Sequence, residues 1–258
     1  MEQVPQARRS LGIDLGGASS DTTGYVVLDK LDRPQVVAAG RLGKIASPQH
    51  AEERLLTLVD EWRPNVVAID APLTLPPCMT CPPYCRGPGE GCELRAAQEM
   101  WAAKRNPVSQ RACEIYVEQH VGERPLPTMQ LGVITARAVV LSRRLANRGV
   151  PPSSKERGEV LEVYPRASLR RLGADDPRLM PRATGEPPET FRDRVLLGLD
   201  ERIDRIDGHA AALANGHVFD GLIAAFTGWL APEGLEPPPP GFNVSSGWIW
   251  VPRSQALD

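Results

Sequence analysis

The sequence predicts one mixed α/β domain with helices on the faces of a central sheet. Short β-favouring runs alternate with segments of helical periodicity along the 258 residues, which is typical of such layered folds. The chain is 41% hydrophobic and 24% charged, enough apolar content to bury one full core. No internal repeat is visible. We therefore expect a single domain over residues 8–258.

Three predicted strands open the chain, separated by Gly, Asp and Pro turn signals, and their close spacing predicts an antiparallel meander. Their predicted bounds are Leu11–Asp14, Gly24–Leu28 and Gln35–Gly40. Apolar residues at helical spacing then predict a helix over Pro48–Trp62, which ends before Pro64. The apolar run Val66–Ile69 is typical of a buried strand, and it ends in Asp70.

The second half of the chain alternates loops, helices and short strands. Residues Leu73–Gly91 carry so many Pro, Gly and Cys residues that they predict a loop, part of an insertion over residues 73–113. Helices are expected over Glu93–Lys104, Leu131–Asn147, Thr190–Asp204 and His217–Leu230, and strands over Val160–Tyr164 and in the edge segment SGWIWVP.

Four acidic residues occupy matching places in these elements. Asp14 lies in GIDLGG, Asp70 in VAIDAP, Glu162 in VLEVYP, and Asp220 near the start of the last long helix. Carboxylates on buried strands are costly and repel one another unless a cation compensates them. Two Mg²⁺ or Mn²⁺ ions roughly 3.5–4 Å apart would do so and would support phosphodiester hydrolysis. The alternative is that each acid caps a turn or pairs with an arginine.

His217 precedes Asp220 by three residues, so on a helix the two side chains share a face. A histidine near a helix start is usually solvated or a cap. Beside an acid it is also a candidate metal ligand or proton carrier.

The segments GIDLGG, VAIDAPL, EVYPRAS and HVFDGLIAAF resemble the bacterial family of unknown function numbered 429, described as predicted nucleases of the ribonuclease H-like superfamily. The resemblance covers roughly residues 11–250. It implies a ribonuclease H-like fold and places Asp14, Asp70, Glu162 and Asp220 at presumed metal-binding positions. The His217/Asp220 pair is similar to the end of the acidic site of RuvC-type Holliday-junction resolvases.

The favoured function is therefore a metal-dependent nuclease that hydrolyses phosphodiester bonds, with nucleic acid of unknown type as its partner. One alternative is an inactive ribonuclease H-like module that binds nucleic acid or protein. Another is an actin-like phosphotransferase, because DLGGASSDTTG would suit a phosphate-binding turn. The phosphotransferase is disfavoured, since those enzymes duplicate the domain and need a second phosphate loop.

Four cysteines lie within fifteen residues of the Pro/Gly-rich insertion: Cys78, Cys81, Cys85 and Cys92. Four thiols in a coreless loop are typical of a tetrahedral metal site, with Zn²⁺ the first choice and an iron–sulfur cluster the second. Non-ligating thiols are the alternative. Cys113 is expected to be a buried core thiol, or else to replace Cys92 as the fourth ligand.

The net charge of −2 gives no global reason to bind a polyanion, so any nucleic-acid surface must be local. Residues 137–171 contain nine basic residues and only three acidic ones. The candidate phosphate contacts are Arg143, Arg144, Lys155, Arg157 and Arg166, with Lys104 and Arg105 added from the insertion. A solvated helix surface is the alternative interpretation.

No apolar stretch is long enough for a membrane span, and the first ten residues lack the apolar core of a signal peptide. We therefore expect a cytoplasmic protein without membrane contact. The oligomeric state stays open, with a homodimer as one alternative.

Overall fold

The fold is built on a six-stranded sheet in the order β3-β2-β1-β4-β5-β6. The computed structural model describes residues 8–17, 22–30, 33–43, 48–81, 109–150, 160–231, 233–240, 242 and 247–254. The strands are β1 (Arg8–Asp14), β2 (Gly24–Lys30), β3 (Gln35–Arg41), β4 (Val66–Asp70), β5 (Val160–Val163) and β6 (Ile249–Trp250).

Strand directions divide the sheet into two halves. The first three strands pair antiparallel as a meander, and β4, β5 and β6 extend it from β1 in parallel. This mixed sheet, a meander followed by a β-α-β unit, is the one that the sequence predicts. The predicted mixed α/β class, with a meander followed by a β-α-β unit, is therefore confirmed.

Helices cover both faces of the sheet. They are α1 (Pro48–Trp62), α2 (Pro77–Thr80), α3 (Ala112–Tyr116), α4 (Val133–Ala146), α5 (Pro165–Leu172), α6 (Pro188–Asp200), α7 (Ala210–Leu213) and α8 (Gly216–Trp229). A π-helical turn, Val117–Val121, continues α3, and short 3₁₀ turns cover Thr128–Leu131, Pro177–Leu179 and Asp207–His209. No described helix is long and apolar enough to cross a lipid bilayer.

The predicted helices agree with these elements where they can be compared. The predicted helix over Pro48–Trp62 matches α1 at both ends, and the last long helix begins one residue earlier than predicted. Four of the described helices were not predicted, namely α2, α3, α5 and α7. Pro165 ends β5 as expected but is also the first residue of α5, where its missing N–H costs nothing. The predicted helix over Glu93–Lys104 lies outside the described residues.

Alternating side chains of β1 face different helical layers. Leu11 and Ile13 pack with α1 and α4 in one apolar cluster. The backbone of Gly12 faces α8 on the other side, and a Cβ there would collide with backbone atoms of Gly221 and Ala225. Glycine thus lets α8 lie directly on the sheet, which brings the start of that helix to the carboxyl end of β1.

Candidate active site

Two of the predicted carboxylates lie side by side at the carboxyl ends of adjacent parallel strands. Asp14 is the last residue of β1 and pairs in register with Asp70, the last residue of β4. Neighbouring strands are about 4.8 Å apart, and residues in register point to the same face. That face is the one covered by α8, because Gly12 precedes Asp14 by two residues.

Asp220 joins them from the first turns of α8. The helix begins at Gly216, and the Asn215 side chain caps it by accepting hydrogen bonds from the backbone N–H groups of His217 and Val218. Since α8 packs against the glycines of the sheet, its first turns lie over the strand ends. Three elements thus bring three aspartates close enough to act electrostatically on one another.

The three carboxyl groups influence one another electrostatically. Burial, and then repulsion by Asp14, Asp220 and Glu162, raises the pKa of Asp70 well above its usual range. Burial and the charge of Asp14 raise the pKa of Asp220 to about 7, with His217 and Arg192 opposing the shift. Neither Asp70 nor Asp220 forms a salt bridge with any residue that the structure describes. Among the described side chains, His217 and Arg192 are the cations that oppose the repulsion between these acids, and neither forms an ion pair with Asp70 or Asp220.

His217 contacts Asp14 directly. Its Nδ1 lies 2.6 Å from the Asp14 Oδ2, and the imidazole is 42% exposed. This hydrogen bond, more than any other effect, raises the pKa of His217, whereas burial raises the pKa of Asp14 against it. The sequence predicted a partnership between His217 and Asp220. In the structure His217 is close enough to Asp220 for their charges to act on one another, and it also forms a hydrogen bond with Asp14 across the helix–sheet interface.

Glu162 occupies a different position from the other three acids. It pairs in register with Ile69, so it points to the face opposite Asp70. Its carboxylate accepts hydrogen bonds from both terminal nitrogens of Arg111 and from the backbone N–H of Leu73. Glu162 was expected to join the aspartates as a metal ligand. In the structure its carboxylate instead forms a buried ion pair with Arg111.

Arg111 is the centre of a buried polar network that the sequence did not reveal. It is 1% exposed, and its Nε donates to Glu114 at 3.0 Å and to Thr128 at 2.7 Å. Its Nη1 also donates to Thr74 at 2.9 Å. The only sequence signal was an acid three residues after an arginine, which is common on helices. The network joins the end of β4, the start of α3 and β5 around one guanidinium group.

Arg137 of α4 fixes the chain that follows Asp14. It is 7% exposed, and its Nη1 donates to the carbonyl oxygens of Gly16 at 2.5 Å and Gly17 at 2.6 Å. Its Nε reaches Glu52 of α1 at 3.3 Å. In the sequence Arg137 was part of the basic run. In the structure it positions the backbone beside the candidate site.

A cavity of about 230 Å³ opens beside the strand ends. Its polar part is formed by Asp14, Asp70, Glu162 and Arg111, and its outer wall includes Leu126, which is 60% exposed. This cavity gives a small ligand access to the carboxylates.

The predicted basic surface is divided by the structure. Arg144 forms a salt bridge with Glu53, and Arg148 forms one with Asp60, both between α1 and the C-terminal end of α4. Arg143 lies nine residues after Ile134, a residue that lines the cavity, so it is about 14 Å further along α4. Arg143 and Arg144 are therefore not brought to the acidic site. Four other predicted contacts lie outside the described residues: Lys104, Arg105, Lys155 and Arg157.

Only part of the cysteine cluster is described. Cys78 lies in the short helix α2, Cys81 caps its end, and both are partly buried. Cys85 and Cys92 lie outside the described residues. Cys113 is fully buried in an apolar cluster with Val117, and burial raises the pKa of its thiol. The expectation of a core thiol is therefore confirmed, and its alternative role as a metal ligand is not favoured.

No three of the described His, Cys, Asp and Glu side chains form a ready-made metal-binding group. The donor chemistry nevertheless fits a hard divalent cation, because Asp14, Asp70 and Asp220 offer only carboxylate oxygens and, among the described residues, form no ion pair except that of Asp14 with His217. These three residues are the ones that would hold Mg²⁺ or Mn²⁺.

The stability of the metal-free protein is expected to fall as pH rises from 6 to 8. Asp220 has a pKa of about 7 in the folded chain against 3.8 ordinarily, so the folded state binds the proton more tightly and loses that advantage as pH rises through 7. His217, whose pKa is also raised, changes stability in the same direction. The loss should be about 1 to 3 kcal/mol, or a Tm lower by about 3 to 10 °C.

Thermal unfolding in EDTA at pH 6, 7 and 8 measures this dependence. Asp220→Asn should flatten the curve, because the asparagine does not titrate. A Tm that is constant or rises over this range in the wild type would contradict the proposed electrostatics.

The fold and the site together define a mixed α/β protein with three aspartates close together at the ends of β1 and β4 and at the start of α8. The chain belongs to the family described as "Protein of unknown function (DUF429)", whose model matches residues 12–241. No curated protein matches the chain.

Among solved structures, the chain is similar to one described as the Thermus thermophilus RuvC structure. The two chains are 12% identical, and the match covers 84% of this chain and 90% of the other at a TM-score of 0.38. Similarity at this level carries no weight for the reaction, so the function has to be inferred from the site itself.

Proposed function

We propose that this protein is a metal-dependent nuclease that hydrolyses phosphodiester bonds at the Asp14, Asp70 and Asp220 site. The proposal rests on one observation. Two carboxylates at strand ends and one at a helix start lie near one another, and Asp70 and Asp220 form no salt bridge among the described residues. Charge of this kind costs stability unless a ligand compensates it, and costly arrangements are typical of functional sites.

Mg²⁺ or Mn²⁺ is the cofactor that these donors favour. When bound, such a cation supplies Lewis-acid stabilisation of the developing charge and lowers the pKa of bound water. Asp14 and Asp70 hold their carboxylates on two rigid, hydrogen-bonded strands, and Asp220 projects from a helix locked onto the sheet. The scaffold thus fixes the donors without relying on a loop.

His217 is the proton carrier in this proposal. Hydrolysis forms a bond from the water oxygen to phosphorus and breaks one P–O ester bond, and the departing oxygen needs a proton. The imidazole is held by Asp14, has a raised pKa and is partly exposed, so it can carry a proton near neutral pH. Its partner carboxylate fixes the ring orientation.

Glu162 has a supporting role in this proposal instead of a ligand role. Its carboxylate is bound by Arg111 and by Leu73 N–H, and it still contributes to the electrostatics of Asp70. Because Glu162 keeps the buried Arg111 guanidinium in place beside the cavity, it can position the strand ends without contacting the reacting atoms.

The binding-module alternative requires the acids to be neutralised by arginines. The structure shows that arrangement for Glu162 but, within the described residues, not for Asp70 or Asp220. The nuclease and the binding module are therefore distinguished by whether the three aspartates bind a divalent cation.

Calorimetric titration of Mn²⁺ tests the proposal. The wild type should bind Mn²⁺ with a Kd below about 1 mM, and Asp14→Asn should weaken binding by about tenfold or more. Asp193→Asn is the matched control, because Asp193 is an exposed aspartate on α6 outside the site. Metal-dependent cleavage would then be sought on single-stranded, hybrid and branched nucleic acids.

Two results would contradict it. The first is no Mn²⁺ binding by the wild type at millimolar concentration. The second is equal binding by the wild type and Asp14→Asn, which would place the cation elsewhere.

The cysteine segment supports a second, structural metal proposal. We propose Zn²⁺, or alternatively an iron–sulfur cluster, bound by Cys78, Cys81, Cys85 and Cys92. Metal analysis and the visible spectrum of the purified protein separate the two. A cytoplasmic location is proposed with it, because such thiols stay reduced there.

A further inference from the structure

A second cavity, of about 280 Å³, has Asp220 in its wall and shares no lining residue with the first one. Three arginines line it, Arg166, Arg182 and Arg192, and Asp220 is the only acid in its wall among the described residues. The three arginines come from α5, from the loop before α6 and from α6, so distant parts of the chain supply them. Of these three arginines, only Arg166 was predicted from the sequence to contact phosphate.

Arg166 is held in place by a buried acid. Its Nε bonds to Glu123, a carboxylate that is 4% exposed and is shared with Arg170. The two terminal nitrogens of Arg166 form no hydrogen bond with any described residue. A guanidinium group that is fixed at Nε and has two remaining nitrogens is arranged to bind an oxyanion through both.

The other two arginines form few direct ion pairs, although Arg192 acts electrostatically on Asp220 and Arg182 on Glu186. Arg192 makes one long contact, 3.5 Å, to Glu189, whose side chain is 74% exposed. Arg182 is exposed and forms no salt bridge within the described part of the chain. Three arginines against one acid still give the cavity wall an excess of positive charge, which a bound anion would offset.

We propose that this cavity binds a second phosphate group of the substrate, one that does not react. Planar guanidinium groups from three directions match the several oxygens of a phosphate better than a carboxylate. The cavity shares Asp220 with the acidic site, so one strand can place neighbouring phosphates in both. This proposal rests on the nuclease function and narrows its substrate to a polynucleotide strand.

The test measures binding of a fluorescently labelled single-stranded 12-mer DNA by anisotropy, in EDTA so that no cleavage occurs. Arg182→Gln/Arg192→Gln should weaken binding about tenfold or more. The slope of log K against log salt should fall by about 0.7 for one lost phosphate contact. Arg54→Gln is the matched control, an exposed arginine of α1 on the opposite face of the sheet.

Each outcome decides the proposal. Unchanged affinity and salt slope in the double variant overturn it, as does an equal loss in Arg54→Gln. If inorganic phosphate raises the Tm of the wild type but not of the double variant, while DNA binds both equally, the cavity is a free-phosphate site and the substrate assignment fails. The single variant Arg182→Gln, at an exposed position, gives a smaller loss and guards against misfolding of the double variant.

The two proposals fail separately. Mn²⁺ binding that depends on Asp14, together with DNA binding that ignores the arginines, leaves the nuclease proposal standing without this phosphate site. DNA binding that depends on the arginines, without Mn²⁺ binding, leaves an anion-binding cavity in a protein that is not a metal-dependent nuclease.

Discussion

Asp70→Asn is expected to abolish hydrolysis and at the same time to stabilise the metal-free protein. Burial and the charges of Asp14, Asp220 and Glu162 all disfavour the ionised Asp70 carboxylate, so a neutral amide of the same shape removes that cost. The free energy of unfolding at pH 8 should rise by about 1 to 3 kcal/mol. Activity should fall by more than about a hundredfold, because the removed oxygen is a proposed metal ligand.

Urea unfolding in EDTA, with and without Mn²⁺, measures both effects on the same preparation. Mn²⁺ should stabilise the wild type, since a ligand that binds only the folded state raises its stability, and this gain should be lost in Asp70→Asn. Asp193→Asn should change neither quantity by more than about 0.5 kcal/mol. An Asp70→Asn variant that is less stable than the wild type in EDTA would mean that the carboxylate has a structural partner.

The fold was largely predictable because it depends on local periodicity. The helix Pro48–Trp62 and the strand ending in Asp70 follow from apolar spacing and from Pro64 between them. Parallel pairing of β1 with β4 then follows from the crossover helix between them. Once these pairings form, Asp14 and Asp70 must meet, since each ends its strand.

The side chains that meet across the sheet were harder to predict. Glu162 had the same strand-end pattern as Asp70, but a register difference of one residue turns it to the opposite face. Arg111 belongs to a segment without strong periodicity, and apart from Glu114 its side-chain partners are distant in sequence. Sequence patterns give the type of element, whereas the face that a residue occupies depends on register between strands.

Charge counting along the sequence was similarly incomplete. The basic run after Arg137 suggested one continuous phosphate-binding surface, but its members point in different directions. Arg137 is buried against a loop, Arg144 pairs with an acid of α1, and Arg166 lines the second cavity. Arg182 and Arg192, which complete that cavity, lie outside the run. The net charge of a sequence segment does not predict which faces of the fold carry that charge.

Glu162→Gln decides between the two roles open to Glu162, metal ligand and partner of Arg111. Arg111 is 1% exposed and pairs with both Glu162 and Glu114, so Glu162→Gln removes one of its two buried counterions, which should cost about 3 kcal/mol. Mn²⁺ affinity should then change by less than about tenfold. As a metal ligand, its loss should instead weaken Mn²⁺ binding strongly at little cost in stability.

A double-mutant cycle gives the coupling between the two side chains. Arg111→Met alone leaves both Glu114 and Glu162 without their cation, and it should destabilise the protein by about 3 to 5 kcal/mol. Adding Glu162→Gln removes one of these charges, so the double variant should be more stable than the sum of the single changes predicts. Arg33→Met, at an exposed pair with Asp204, should cost less than about 1 kcal/mol. Additive effects in the cycle, within about 0.5 kcal/mol, would show that the pair is not coupled and would return Glu162 to the set of candidate metal ligands.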